Sequence, residues 1–401
     1  MNIGNDRLDS LFEAVLKLRT KEECKSFFED ICTIKEMQDL SQRLEVAVML
    51  VEGSSYQQIS TTTGASTATI SRVSRALNYG SGGYGVVLDG RNGNKTDYEK
   101  VLTSEEKISL RLRELYSSYG FKQYRMSKFE EYDLYVKNKD FLVSDSIITF
   151  NDTDGRLLAL KPDVTLSIIK NTRAEGGILR AYYSENVYRA EGGTRSFREI
   201  MQTGVECIGD IELKDVFTVV SMACESLSSL SGNTVLEISH LDVLSAILSH
   251  LAISDAGKKR IISFISEKNS AGVMSVLDSE GKSTEAKEML SDLISLHGSR
   301  ETVLPILKKL ALNKEISHYV DELTSLLDYL EEKGLGDRVC VDFSVINNTS
   351  YYNGIAFRGF AQGAAREVLL GGQYDKLLSR MKRAGRGVGF AVYVDELARL
   401  G

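Results

Sequence analysis

Three stretches of the chain concentrate side chains able to hold a small zwitterion. "TFNDTDGRLLALKPDVTLSIIK" (149–170) carries Asp163 and Thr165. "LRAYYSENVYRAEGGTRSFREIMQTGVECIG" (179–209) carries Arg189, Glu191, Arg198, Gln202 and Glu206. "FSVINNTSYYNGIAFRGF" (343–360) carries Tyr351 and Tyr352. Asp163 and Gln202 can accept hydrogen bonds from an ammonium group, and Glu206 from the N–H of an imidazole. Arg189 offers paired donors to a carboxylate. The two tyrosines supply ring walls and hydroxyls. As a set, these groups complement an amino acid with a ring side chain, such as histidine. Arg198 and Glu191 read instead as an ion pair of the framework.

A second chemistry sits near the N-terminus. "SSYQQISTTTGASTATISRVSRAL" (54–77) reads as helix, turn, helix. Tyr56 and Ile59 are expected to face the core of the first helix. Gly64 suits the sharp turn, because a residue without Cβ is least strained there. Ser66 is a good N-cap. Ile70, Val73 and Leu77 should form a buried stripe. The opposite face then presents Thr67, Ala68, Ser71, Arg72 and Arg75, small polar residues followed by arginines, which suits insertion into a major groove. From 53 to 79 there are two arginines and no acid. This local balance is hidden by the net charge of −7 over 401 residues, which advertises no large electrostatic footprint for nucleic acid.

Other chemistries find no support. The five cysteines (24, 32, 207, 224, 340) contain no CxxC pair and read as free thiols in a reducing cytoplasm. The four histidines (240, 250, 297, 318) form no HExxH or similar cluster, so no metal is expected. Residues 80–85 match GxGxxG, but they follow a helix and open a linker, whereas a dinucleotide fingerprint follows a strand and opens a helix. No cofactor is expected. The N-terminus has no signal-peptide pattern, and "VAVMLV" (46–51) is far too short to span a bilayer.

The elements that must position these groups follow from periodicity. Residues 8–78 read as helices, with apolar residues three and four apart in "LDSLFEAVLKL" and "QDLSQRLEVAVMLVEG". Residues 81–97 are rich in Gly, Asn and Asp and read as a linker. From 98 onward helices alternate with strand-like segments such as "SIITF" and "LLALK". The stretch 242–335 is helical again. "RVCVDFSVI" and "GIAFRGF" read as strands, and "VYVDELARL" as a closing helix.

The motifs resemble two known families. The first 80 residues, most specifically "GASTATISR" and "LNYG", are similar to the Trp repressor-related YerC/YecD family. That resemblance implies an all-helical intertwined dimer, and it places Arg43 and Arg72 where the Trp repressor uses arginines around its corepressor. Residues 98–401 resemble class II histidyl-tRNA synthetases. They resemble more closely the regulatory subunit of ATP phosphoribosyltransferase, on the combination of "FREIMQTGVE", "YYNGIAFRGF" and "GGQYDKLL". The implied fold is α+β: an all-α helix–turn–helix domain over 1–80, a linker over 81–97, and over 98–401 a six-stranded antiparallel sheet flanked by helices, with a helical insertion at 242–335. The family's histidine-contacting positions fall on Asp163, Thr165, Arg189, Gln202, Glu206, Tyr351 and Tyr352.

Three departures from the synthetase pattern weigh against catalysis. Asp395-Glu396-Leu397 stands where synthetases have Glu-Arg-Leu. Asn347 to Ser350 replace the segment with the catalytic arginine. Ser127 replaces a proline. Stabilising the charge that develops on ATP during adenylation needs preorganised cations. No anticodon-binding domain is expected after residue 401, and so no tRNA partner. The expectation is therefore a non-catalytic, cytoplasmic regulator. Its expected partners are the short-form catalytic subunit of ATP phosphoribosyltransferase, L-histidine as effector and operator DNA, in a homodimer or larger hetero-oligomer away from any membrane. The alternatives are a histidine-sensing repressor with no enzyme partner and, against the three departures, an active synthetase or ligase.

Overall fold

The computed structural model describes residues 5–51, 53–80, 82–88, 101–139, 142, 147–172, 177–190, 196–230, 232–345 and 351–400. It forms two compact units, 1–101 and 102–401.

The first unit is helical: Asn5–Leu16, Lys21–Ile31, Ile34–Val51, Tyr56–Thr63, Thr67–Tyr79 and Gly83–Leu88. Local chemistry sets its boundaries. Ser55 and Gln58 form a capping box at the start of Tyr56–Thr63, and Gly64 ends that helix at φ 69°. Ser66 accepts from the Thr69 N–H and starts the next helix. Gln42 Nε2 donates to the Thr63 carbonyl at 2.9 Å, tying the long helix to the turn. Val46, Ala47, Ile59, Ala65, Ile70 and Val73 make the core. Two expectations are corrected. Tyr56 is 41% exposed, so Ile59 alone anchors its helix. Within the expected linker of 81–97, Gly83–Leu88 is a helix and Leu88 is buried in the same core. Burial of Leu88, with Tyr84 packed beside it, outweighs the glycines around it. Residues 89–97 lie outside the described residues.

The second unit is built on a nine-stranded sheet. Its strands are β1 (Lys122–Gln123), β5 (Ile178–Ala190), β6 (Phe197–Gly209), β7 (Thr234–His240), β8 (His297–Gly298), β9 (Val339–Asp342), β10 (Asn353–Ala361), β11 (Leu369–Gln373) and β12 (Arg386–Tyr393), in the order β1-β5-β6-β12-β11-β10-β7-β9-β8. The run from β5 to β7 is six-stranded and antiparallel. β1 and β9 extend it with parallel pairings. A small sheet of β2 (Phe129–Glu131), β4 (Leu157–Leu160) and β3 (Thr149–Asn151) stands apart from it.

Helix Leu213–Leu230 buries Val216, Val219, Val220, Ala223 and Leu227 in the main core, the three-and-four spacing of a helix facing one partner. The helices between Leu241 and Glu332 bury leucines and isoleucines that continue this core. A second core joins helix Val164–Asn171, helix Asp375–Arg380 and β5 through Leu166, Ile168, Tyr183, Tyr374 and Leu377. The expected closing helix is shorter than its pattern suggested. Val392 and Tyr393 belong to β12, paired with Thr203 and Gln202, and only Val394–Ala398 is helical. β12 is an inner strand of the sheet, so extended pairing outcompetes one further helical turn. No helix among the described residues is long and apolar enough to cross a membrane.

Candidate functional site

The residues expected to hold a ligand come together. A cavity of about 320 Å³ in the second unit is lined by Asp163, Thr165, Arg189, Gln202, Glu206, Tyr351 and Tyr352, all seven of the sequence candidates. Four elements deliver them. Asp163 is the N-cap of helix Val164–Asn171, where its Oδ1 accepts from the Leu166 N–H at 2.9 Å, leaving Oδ2 for a ligand. Arg383 Nη1 donates to the Ile169 carbonyl at 2.6 Å and holds the other end of that helix. Arg189 extends from β5, and its Nε donates to the Pro162 carbonyl at 2.9 Å, which fixes the guanidinium beside Asp163. Gln202 and Glu206 both project from β6, four residues apart and so on one face. Both are 2% exposed.

Glu206 lies at the bottom of the cavity. Thr165 Oγ1 donates to its Oε1 at 2.6 Å, and the Tyr374 hydroxyl donates to its Oε2. Burial pushes its carboxyl up to about 8, against the opposing effect of these two hydrogen bonds. Burial raises Asp163 as well, opposed by the Leu166 N–H and by the charge of Arg189. The Tyr351 and Tyr352 rings lie 4.6 Å apart between centroids, and Tyr374 closes on Tyr351 at 6.0 Å. The space itself comes from a glycine. A Cβ at Gly389 on β12 would lie 2.1 Å from Glu206 Oε2.

Sequence reasoning missed Tyr374 and Tyr183. Tyr374 lies within the quoted "GGQYDKLL", and its signal was that motif. Thr165 lines the cavity and its hydroxyl also orients Glu206. Arg358, Glu367 and Tyr393 complete the wall.

The closing segment is held by ion pairs. Glu396 pairs with Arg198 at 3.5 Å, Arg366 at 3.3 Å and Arg399 at 3.2 Å. Arg198 also meets Asp395 at 3.5 Å. Arg198 makes these ion pairs within the framework, and Glu191, its expected partner, lies outside the described residues. So do Asn347 to Ser350. Glu396 thus stands among three cations, of which Arg366 and Arg399 are more than half exposed.

In the first unit, Thr67, Ala68, Ser71, Arg72 and Arg75 are all exposed along helix Thr67–Tyr79, and Arg43 is exposed on helix Ile34–Val51. Ile70 and Val73 hold the opposite face in the core. Among the described residues, neither Arg72 nor Arg75 is paired with an acid. Small side chains at the N-terminal turn and unneutralised arginines beyond it leave this face sterically and electrostatically open to a phosphate backbone.

Comparison with known proteins gives a consistent picture. Residues 98–397 match the histidyl-tRNA synthetase family. Residues 6–92 match the Trp repressor protein family. The ATP phosphoribosyltransferase regulatory subunit of Caldanaerobacter subterraneus is 31% identical over 307 residues, covering 75% of this chain and 78% of the relative. A Bacillus halodurans structure described as an ATP phosphoribosyltransferase regulatory subunit/histidyl-tRNA synthetase superposes with a TM-score of 0.67 at 27% identity, over 74% of this chain and 78% of that one. A chain of the ATP phosphoribosyltransferase complex of Thermotoga maritima shares the fold, with a TM-score of 0.57 at 20% identity over 72% of this chain and 96% of its own.

Proposed function

From the premise that the chain belongs to the histidyl-tRNA synthetase family, in the branch of ATP phosphoribosyltransferase regulatory subunits, we propose that it regulates that transferase and catalyses nothing itself. One observation carries the reading: the cavity gathers partners for histidine while Glu396, an acid, stands where the resemblance to synthetases calls for an arginine. In this reading the ammonium group sits between Asp163 Oδ2 and Gln202, the carboxylate meets Arg189, and the imidazole reaches Glu206 between the tyrosine rings. The partner is the short-form catalytic subunit, which joins ATP to phosphoribosyl pyrophosphate. The regulatory chain enables that step, and histidine reverses it by binding one state of the complex more tightly than the other.

The first unit adds a DNA-reading role. Its open face of Thr67, Ala68, Ser71, Arg72 and Arg75 suits a major groove, and a dimer of the chain would address two half-sites of an operator. The decisive experiment measures phosphoribosyl-ATP formation by the short-form catalytic subunit of the same source, with and without this chain, across a histidine titration. Activation that histidine reverses supports the regulatory reading. No effect at any ratio, with the two proteins eluting separately, overturns it and leaves histidine-sensitive operator binding as the function to test.

A further inference from the structure

Outside the cavity, the far edge of the main sheet gathers four side chains with metal-ligating atoms. Register places them on one face. Cys340 and Asp342 lie two apart on β9, Glu237 stands opposite Cys340 on β7, and His297 stands opposite Asp342 on β8. The intervening Val341 and the neighbouring Ile238 point into the core. One ligand atom from each of Glu237, His297 and Asp342 lies within 4.8 Å of the others, and the Cys340 sulfur stands at the margin of that group. Cys340 Sγ lies 3.3 Å from His297 Nε2. The S···N edge of a tetrahedral zinc centre, from bonds of about 2.3 and 2.0–2.1 Å, is about 3.5 Å.

The bonds these groups already make leave one oxygen of Glu237 free and take both oxygens of Asp342. Arg358 Nε takes Glu237 Oε2 at 2.7 Å, which leaves Oε1. The Ser344 N–H takes Asp342 Oδ1 at 2.7 Å. Lys268 Nζ takes Asp342 Oδ2 at 2.8 Å, but the Lys268 side chain is 59% exposed and can swing into water. Arg358 and Ser344 thus act as the outer partners that orient metal-binding carboxylates. His297 is exposed, which gives an ion a path in.

We propose that Glu237, His297, Cys340 and Asp342 form a binding site for a divalent cation of the zinc class. Nitrogen, sulfur and carboxylate donors in one cluster select a borderline-soft ion over magnesium or calcium. Binding forms a metal–sulfur bond, releases the Cys340 thiol proton to solvent and displaces the Lys268 ammonium from Asp342.

The test uses the untagged full chain, freed of metal with a chelator and titrated with Zn²⁺ by calorimetry and with Co²⁺ by absorbance. One equivalent of Zn²⁺ should bind, and Co²⁺ should give a near-ultraviolet thiolate band. His297→Ala and Cys340→Ser should each weaken Zn²⁺ binding at least tenfold, since even outer-shell partners are worth about 10–100-fold, and Cys340→Ser should abolish the band. Lys268→Met should strengthen binding, because it removes the competitor for Asp342. Unchanged thermal melting of the metal-free variants separates ligand loss from misfolding. No Zn²⁺ uptake, no thiolate band, affinity indifferent to both ligand variants, or affinity unimproved in Lys268→Met would each overturn the proposal.

Discussion

Replacing Glu206 with glutamine should make the second unit more stable at alkaline pH and not at acid pH. The carboxyl is 2% exposed and meets two hydroxyls. Burial raises it from an ordinary 4.5 to about 8. Between those values the folded chain holds a proton that the unfolded chain has lost. Stability therefore falls as pH rises through that window, with a slope of about 1.4 kcal/mol per pH unit. By pH 7.5 the ordering of a neutral Glu206 has cost about 4 kcal/mol, an upper figure because the cavity can admit water. Glutamine has no proton to lose and can still accept from Thr165. Urea unfolding of both proteins at pH 5, 6, 7 and 8, followed by a probe in the second unit, gives the difference at each pH, in which the other titrating groups cancel. The difference should be small near pH 5 and grow in favour of the variant toward pH 8. A difference that stays flat, or grows in the other direction, would refute the assignment of Glu206 as a neutral buried acid.

Other expectations follow from the same geometry. Glu206→Ala should weaken histidine binding while leaving DNA affinity intact, as read by calorimetry and by operator gel shift on one preparation. Gly389→Ala places a methyl group 2.1 Å from Glu206 Oε2 and 2.5 Å from the Val205 carbonyl of the paired strand, so histidine affinity should fall at least tenfold and the thermal melting temperature should drop with it. Arg72→Ala should weaken operator binding by roughly 1–3 kcal/mol if the arginine makes a bidentate base contact, and unchanged affinity would move Arg72 out of the interface. Glu396→Ala leaves Arg198, Arg366 and Arg399 without their shared carboxylate. Chemical denaturation should show a loss of about 1–2 kcal/mol, because Arg366 and Arg399 are more than half exposed and Arg198 keeps Asp395. Added phosphate should restore part of it.

The sequence by itself determined what depends on neighbours along the chain. The helix–turn–helix is written in Ser55, Gly64 and Ser66 and in the spacing of Ile59, Ile70 and Val73, all within 20 residues of one another. Each is a cap, a left-handed turn or a buried stripe whose physics is local. The strands β5 and β6 and the cavity candidates were legible for a related reason: their motifs are contiguous, and alternation along β6 puts Gln202 and Glu206 on one face without reference to any other strand. Where local signals competed, they misled. Glycines suggested a linker at 83–88 that apolar burial turned into a helix, and a helical pattern at 392–400 yielded its first two residues to β12.

Tertiary structure alone decided which distant groups meet. Tyr374 reaches Glu206 across 168 residues, and that hydroxyl helps hold a buried carboxyl in place. Glu396 found three arginines, one of them 198 positions earlier in the chain, which a list of substitutions shows only as a lost cation. No two histidines share a metal ligand's spacing along the chain. Yet His297 stands 43 residues from Cys340 and 3.3 Å from its sulfur. Sheet order and register set that distance. Both arise from the packing of the whole unit, and no periodicity along the chain encodes them.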